Sequence, residues 1–181
     1  MRNQSEKLPI PTRATKARIS TFAEETACAL RFKSGDTMEP LVARLGGRIK
    51  YRSSSEKIAE IPEAIKISEP NKFTIYLPLN TSMERDRFTI AHELGHLFLH
   101  FPLVRLRHPD ATMIATRWVD DTREDQTRAE WEANWFAGAF LMPDEEFRAW
   151  WGLRTPGKVA STFGVTEKAA EVRAKTLGME A

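Results

Sequence analysis

Arg87-Phe88-Thr89-Ile90-Ala91-His92-Glu93-Leu94-Gly95-His96-Leu97-Phe98-Leu99-His100 sets a HExxH motif inside an apolar run of helical length. Residues four apart on a helix share a face, so His92 and His96 can turn both imidazoles toward one metal ion, and the motif implies zinc. Glu93 follows the first histidine at the angle that lets its carboxylate reach a water rather than the ion, the position of a metallopeptidase base. Ile90, Ala91, Leu94, Leu97 and Phe98 make the segment apolar nearly all round, as in a core helix. An ionised Glu93 would be costly to bury alone there, and a water at the metal supplies a partner. Gly95 costs the helix about 1 kcal/mol against alanine, so another backbone is expected to pass close by. His100 continues the series of fours, but another turn carries it about 6 Å along the axis, and it is read as structural.

A catalytic zinc wants a third protein ligand and an open position. The residues that offer one lie on a helix read from Thr122, as N-cap with Asp125 three on, to Leu141, stopped by Pro143. Glu130 and Asn134 are four apart and share a face with Ala133, Ala137 and Leu141, whereas Glu132 sits with Phe136 and Ala139. Small alanines let helices approach closely, as helices meeting at a metal must. Glu130 is therefore the first choice of ligand, Asn134 a hydrogen-bond partner for a ligating histidine, and Glu132 the reserve. His108, in a polar segment, could swing in to stabilise an oxyanion, but nothing in the sequence positions it.

The composition, 181 residues with 41% hydrophobic and 29% charged, suits one globular domain with a modest extension. No apolar run reaches the roughly 18 residues of a membrane span, and the polar, basic start has no apolar signal core. A cytoplasmic location is expected. Cys28 is the single cysteine, which excludes an internal disulfide framework and a cysteine-rich metal site, and it is read as a buried thiol. A net charge of +2 does not point to nucleic acid. Arg2, Lys7, Arg13, Lys16 and Arg18 face only Glu6, however, so residues 1–20 are read as a flexible basic arm, with phosphate contact as the alternative.

Helical spacing predicts a first amphipathic helix over Thr21 to Phe32, stopped at Ser34-Gly35. Asp36, with Glu39 three on, predicts a capped second helix ended by Gly46-Gly47, with Pro40 tolerated in its first turn. Alternation predicts strands at Arg48 to Arg52, Ala64 to Ser68 and Phe73 to Leu77, the last two forming a hairpin across Glu69-Pro70-Asn71-Lys72, with a polar turn at Ser53-Ser54-Ser55. The expected fold is α+β: a small sheet of about three strands packed on the HExxH helix, with additional helices. An edge strand there either aligns an extended peptide or faces plain solvent. Leu103 to Thr122 lacks periodicity and is read as a loop.

The chain resembles the ImmA/IrrE family of zinc metallo-endopeptidases in three blocks: Arg87 through His100, then Glu130-Trp131-Glu132-Ala133-Asn134-Trp135-Phe136-Ala137, then Leu141-Met142-Pro143. The resemblance implies a zincin-like core with His92, His96 and Glu130 on zinc and Glu93 as base, in a metallopeptidase domain over residues 21–151. It further implies a site-specific protease whose protein substrate is a helix-turn-helix repressor of mobile elements, phage genes or stress responses. Residues 152–181 form a C-terminal extension packed on the core, in which Lys158 to Arg173 looks like a helix-turn-helix with a new N-cap at Thr166. Glu167 and Glu171 would repel phosphates, so the segment is read as a packing module, with DNA contact as the weaker alternative. The rival function is a non-proteolytic regulatory protein that binds a repressor or DNA.

Overall fold

A computed structural model describes residues 5–52, 63–116 and 122–179. The turn expected at Ser53-Ser54-Ser55 lies outside the described residues. In order, the elements are β1 (Glu6–Lys7), α1 (Lys16–Ala29), α2 (Met38–Arg44), β2 (Gly47–Arg52), β3 (Glu63–Glu69), β4 (Lys72–Pro78) and α3 (Met83–Gly95). A π-helical turn (His96–His100) leads into α4 (Phe101–Arg107), followed by β5 (Thr112–Thr116), α5 (Glu124–Leu141), α6 (Asp144–Trp151), α7 (Pro156–Phe163) and α8 (Glu167–Thr176). The fold is mixed α+β.

The hairpin β3–β4 forms as the alternation predicts, with Ile65 opposite Ile75 and Ile67 opposite Phe73, all four buried. β2 joins β4 in parallel at one edge. The sheet has five strands among the described residues, in the order β1-β5-β3-β4-β2, which corrects the expected three. β5 falls inside the segment read as a loop. Four of its five residues are buried, so it offers no polar alternation from which a strand could be read. β1 is two residues long, too short to carry a pattern, yet it pairs in parallel with Thr112 and Met113. Residues 5–20, read as part of a flexible arm, therefore hold a sheet edge and the first turn of α1. Thr15 caps that helix by accepting from the Arg18 N–H, so that it begins at Lys16, five residues before its predicted start, and Ile19 opens the buried stripe continued by Ala23 and Ala27.

The capping residue of α2 is Thr37 rather than Asp36, whose carboxylate instead accepts the Lys33 N–H at 2.9 Å and closes the preceding turn. Cys28 is exposed on α1, correcting its reading as a buried thiol. α5 starts at Glu124 with Arg123 as its N-cap, so Thr122 lies just outside it. In the sequence, Phe101-Pro102 reads as the end of the element carrying the HExxH motif, but the helix continues through it. At the π turn the Phe101 N–H reaches back five residues to the His96 carbonyl, and α4 then starts with proline in its first turn, where a missing N–H costs nothing.

One buried cluster joins the sheet, α1, α3 and α5 to Phe147, Val159, Phe163, Val165 and Ala174 of the C-terminal helices. Arg87 secures this junction: its Nε donates to the Phe163 carbonyl at 3.2 Å, and its guanidinium also reaches the Asp36 carbonyl. Gly164 ends α7 at φ 62, a left-handed conformation in which a side chain would be strained and would press on Arg87. Thr166 caps α8 by accepting from the Ala169 N–H at 3.2 Å.

The backbone expected near Gly95 is that of α5. A Cβ on Gly95 would lie 3.1 Å from the Ala133 Cα and 3.3 Å from the Ala133 carbonyl oxygen. Ala133 and Ala137 are fully buried, so this is the face on which α3 and α5 meet. Gly95→Ala is expected to force the two helices apart, lowering stability by about 1–3 kcal/mol and weakening metal uptake. Thermal melts with and without metal check this. A melting temperature no lower than the parent's would show that the approach is not close enough to matter.

Candidate metal centre

α3 and the π turn that continues it carry His92 and His96 one turn apart, and α5 crosses them so that Glu130 faces both. The Nε2 atoms of the two histidines are 3.1 Å apart. Glu130 Oε2 lies 3.1 Å from His92 Nε2, and Oε1 lies 3.2 Å from His96 Nε2. Among the described residues these three form the one group of three or more His, Cys, Asp or Glu side chains whose donor atoms, all within 4.8 Å of one another, could hold a metal ion.

Hydrogen bonds decide which nitrogen of each ring points at this group. Asn134 Oδ1 sits 3.0 Å from His92 Nδ1; an amide oxygen only accepts, so the hydrogen is on Nδ1 and Nε2 keeps a lone pair. Asn134 thus falls where the sequence put it, beside a candidate ligand. His96 Nδ1 is 2.9 Å from His100 Nδ1. Two imidazole lone pairs and a carboxylate pointing at one spot call for a proton or a cation among them, so the donor set fits a metal ion.

The electrostatics agree with this crowding. Burial works against a charged His92, but the carboxylates of Glu130 and Glu93 outweigh it and push its pKa up to about 9. Burial holds His96 down to about 3, helped by its histidine neighbours and opposed by Glu130. Burial alone would raise Glu130, yet the two imidazoles facing it, His92 and His96, hold it well below the usual carboxylate range.

Glu93 is 3% exposed on α3, directly after His92. Glu132, the reserve ligand, is not part of the group. Two residues along a helix turn a side chain to the opposite side, and its carboxylate is engaged by His100, Thr12, Arg13 and Arg128. Its role as an acceptor for the segment before α1 was missed, because Thr12 and Glu132 are 120 residues apart and no local pattern links them. His100 is fully buried against Glu132, as a structural histidine would be. His108 is exposed at the end of α4 and is not in the group.

Beside the site lies a cleft of about 720 Å³ whose wall includes Phe88, Trp131, Asn134, Trp135, Gly138 and Met142. Asn134 borders both cleft and metal group. Gly138, unusual in a helix interior, meets nothing within 4 Å of a Cβ placed on it, so it leaves this wall open rather than admitting another helix.

Fold and site together define a mixed α+β protein with two helices that bring two histidines and one glutamate to a point able to take a metal ion. The peptidase family model described as the IrrE N-terminal-like domain matches residues 65–175, more than half of the chain, and the chain belongs to this ImmA/IrrE family. No curated protein matches the chain. Among solved structures, a Mycobacterium tuberculosis transcriptional regulator is similar in fold at 18% identity, with a TM-score of 0.60 over 88% of this chain. The chain spans 46% of that regulator's length.

Proposed function

We propose that the chain is a zinc-dependent endopeptidase with a zincin-like core, in which His92, His96 and Glu130 hold the metal and Glu93 is the catalytic base. The observation that carries this is the meeting of two Nε2 atoms and the Glu130 carboxylate at 3.1–3.2 Å. Those separations are close to the edge of about 3.3 Å in a tetrahedron with metal–ligand bonds of about 2.0 Å, and two His plus one Glu is a donor set of catalytic zinc. When bound, zinc supplies Lewis acidity: polarisation of the scissile carbonyl and a lowered water pKa.

The chain's own residues do the rest. Glu93 takes the proton of the attacking water on its carboxylate and delivers it to the leaving amine as the peptide bond breaks. Asn134 holds His92 in the tautomer that presents Nε2. The apolar cleft with Phe88, Trp131 and Trp135 seats a side chain of the substrate beside the scissile bond and keeps solvent from it.

The metallopeptidase domain is taken as residues 21–151 and the C-terminal helical extension as 152–181. Arg173 of α8 supports the packing of that extension on the core, donating to the Met142 carbonyl at 2.9 Å and to Glu24 at 3.2 Å. A residue buried in this way is not presented to DNA. No helix among the described residues is long and apolar enough to cross a membrane. Action in the cytoplasm on a helix-turn-helix repressor completes the proposal; it rests on the motif resemblance, and the similar solved structure, that of a transcriptional regulator, is in keeping with it.

The test is incubation of the purified chain, with zinc, with the helix-turn-helix proteins encoded beside its gene. A discrete fragment that a chelator suppresses is the expected result. A stable complex with an intact partner would replace hydrolysis by the binding-only function.

A further inference from the structure

Behind the three candidate ligands, the π-helical turn and α5 bury a second histidine–carboxylate pair, His100 and Glu132, for which the hydrolytic steps above have no use. Every other group hydrogen-bonded to Glu132 is a donor. They are the Thr12 N–H at 2.7 Å, the Thr12 hydroxyl at 2.8 Å, the Arg13 N–H at 2.8 Å and Arg128 Nε at 2.9 Å. A carboxylate surrounded by donors offers only lone pairs, so His100 Nε2, 3.1 Å away, carries a hydrogen toward it. The other nitrogen of a neutral His100 is then an acceptor. It sits 2.9 Å from His96 Nδ1, which must present its N–H there, leaving His96 Nε2 bare on the side of His92 and Glu130.

We propose that His100 and Glu132 are positioning residues, a relay of two hydrogen bonds that keeps the proton of His96 on Nδ1 and its Nε2 free for the metal. This rests on the reading of His92, His96 and Glu130 as a zinc site. His92 obtains the same service in one step from Asn134, which lies four residues beyond Glu130 on α5. His96 is turned inward, away from that residue, and needs an intermediary. The π turn supplies it by setting the His100 ring with its centroid 4.9 Å from that of His96. The segment before α1 anchors the far end, because Thr12 and Arg13 provide three of the donors on Glu132.

Nitrogen-15 NMR of the zinc-loaded parent reads the relay directly: His96 should show Nδ1–H and His100 Nε2–H. A His100 proton on Nδ1 overturns the proposal whatever any variant does. His100→Phe should lose about 10- to 100-fold in zinc affinity, the usual worth of such outer partners, and should let His96 sample both tautomers in the metal-free state. His100→Asn, whose amide oxygen falls near the lost Nδ1, should recover most of the affinity. With both variants folded by circular dichroism, a phenylalanine variant that keeps full affinity, or an asparagine variant as weak as it, counts against the relay. Should His100→Phe fail to fold, the parent spectrum decides alone. A parent that takes up no zinc by mass spectrometry would sink the metal-site reading instead, while its metal-free spectrum still reports which nitrogen of His100 is protonated.

Discussion

Replacing Glu93 by glutamine is expected to leave a folded, metal-loaded protein that no longer cleaves peptide bonds. The two side chains have nearly the same shape, and Glu93 lies buried on α3 without being one of the three groups whose donor atoms converge. The amide keeps the volume and loses the basicity. General base catalysis is worth about 10²–10⁴-fold, so cleavage should fall by at least that factor while zinc per chain stays at the parent value. Rate and metal content measured on the same preparation separate the two effects. A glutamine variant that cuts as fast as the parent would remove Glu93 from the mechanism.

Glu130→Ala should act in the opposite way, through the metal. It removes one of three ligands and leaves His92 and His96 with no anion between them. The loss of zinc affinity should exceed about 100-fold, since even outer partners of a ligand are worth 10- to 100-fold. There is a thermodynamic readout that needs no substrate. A ligand at about 1,000 times its Kd stabilises the folded state by roughly 4 kcal/mol, so zinc should raise the melting temperature of the parent clearly and that of Glu130→Ala hardly at all. An equal shift in both proteins would mean that the metal binds elsewhere.

Much of this architecture could be read along the chain. The HExxH spacing, the apolar run around it, and the alanine face of α5 are periodic features, and periodicity is what a linear sequence shows. So is the β3–β4 hairpin, whose alternation reports one buried face. β5 reads as a loop because burial on nearly every residue erases alternation, and β1 leaves no pattern because two residues cannot alternate at all. Helix ends shifted by a few residues for local reasons: Thr15 rather than a residue near Thr21 caps α1, and Thr37 displaces Asp36 at α2. The proline after His100 looked like a stop, yet the π turn makes it a beginning.

Residue order along α3 and α5 was by itself enough to put His92 and His96 on one face, and Glu130 with Asn134 on another. Helix geometry repeats every turn and needs no knowledge of neighbours. Only the tertiary structure decided that Glu130 and not Glu132 meets those imidazoles, that Glu132 serves His100 instead, and that a segment 120 residues earlier holds it there. The choice between two carboxylates 200° apart around one helix depends on which side packs against α3. That side is set by the close approach of Gly95 to Ala133, a contact between residues that nothing local in the chain connects.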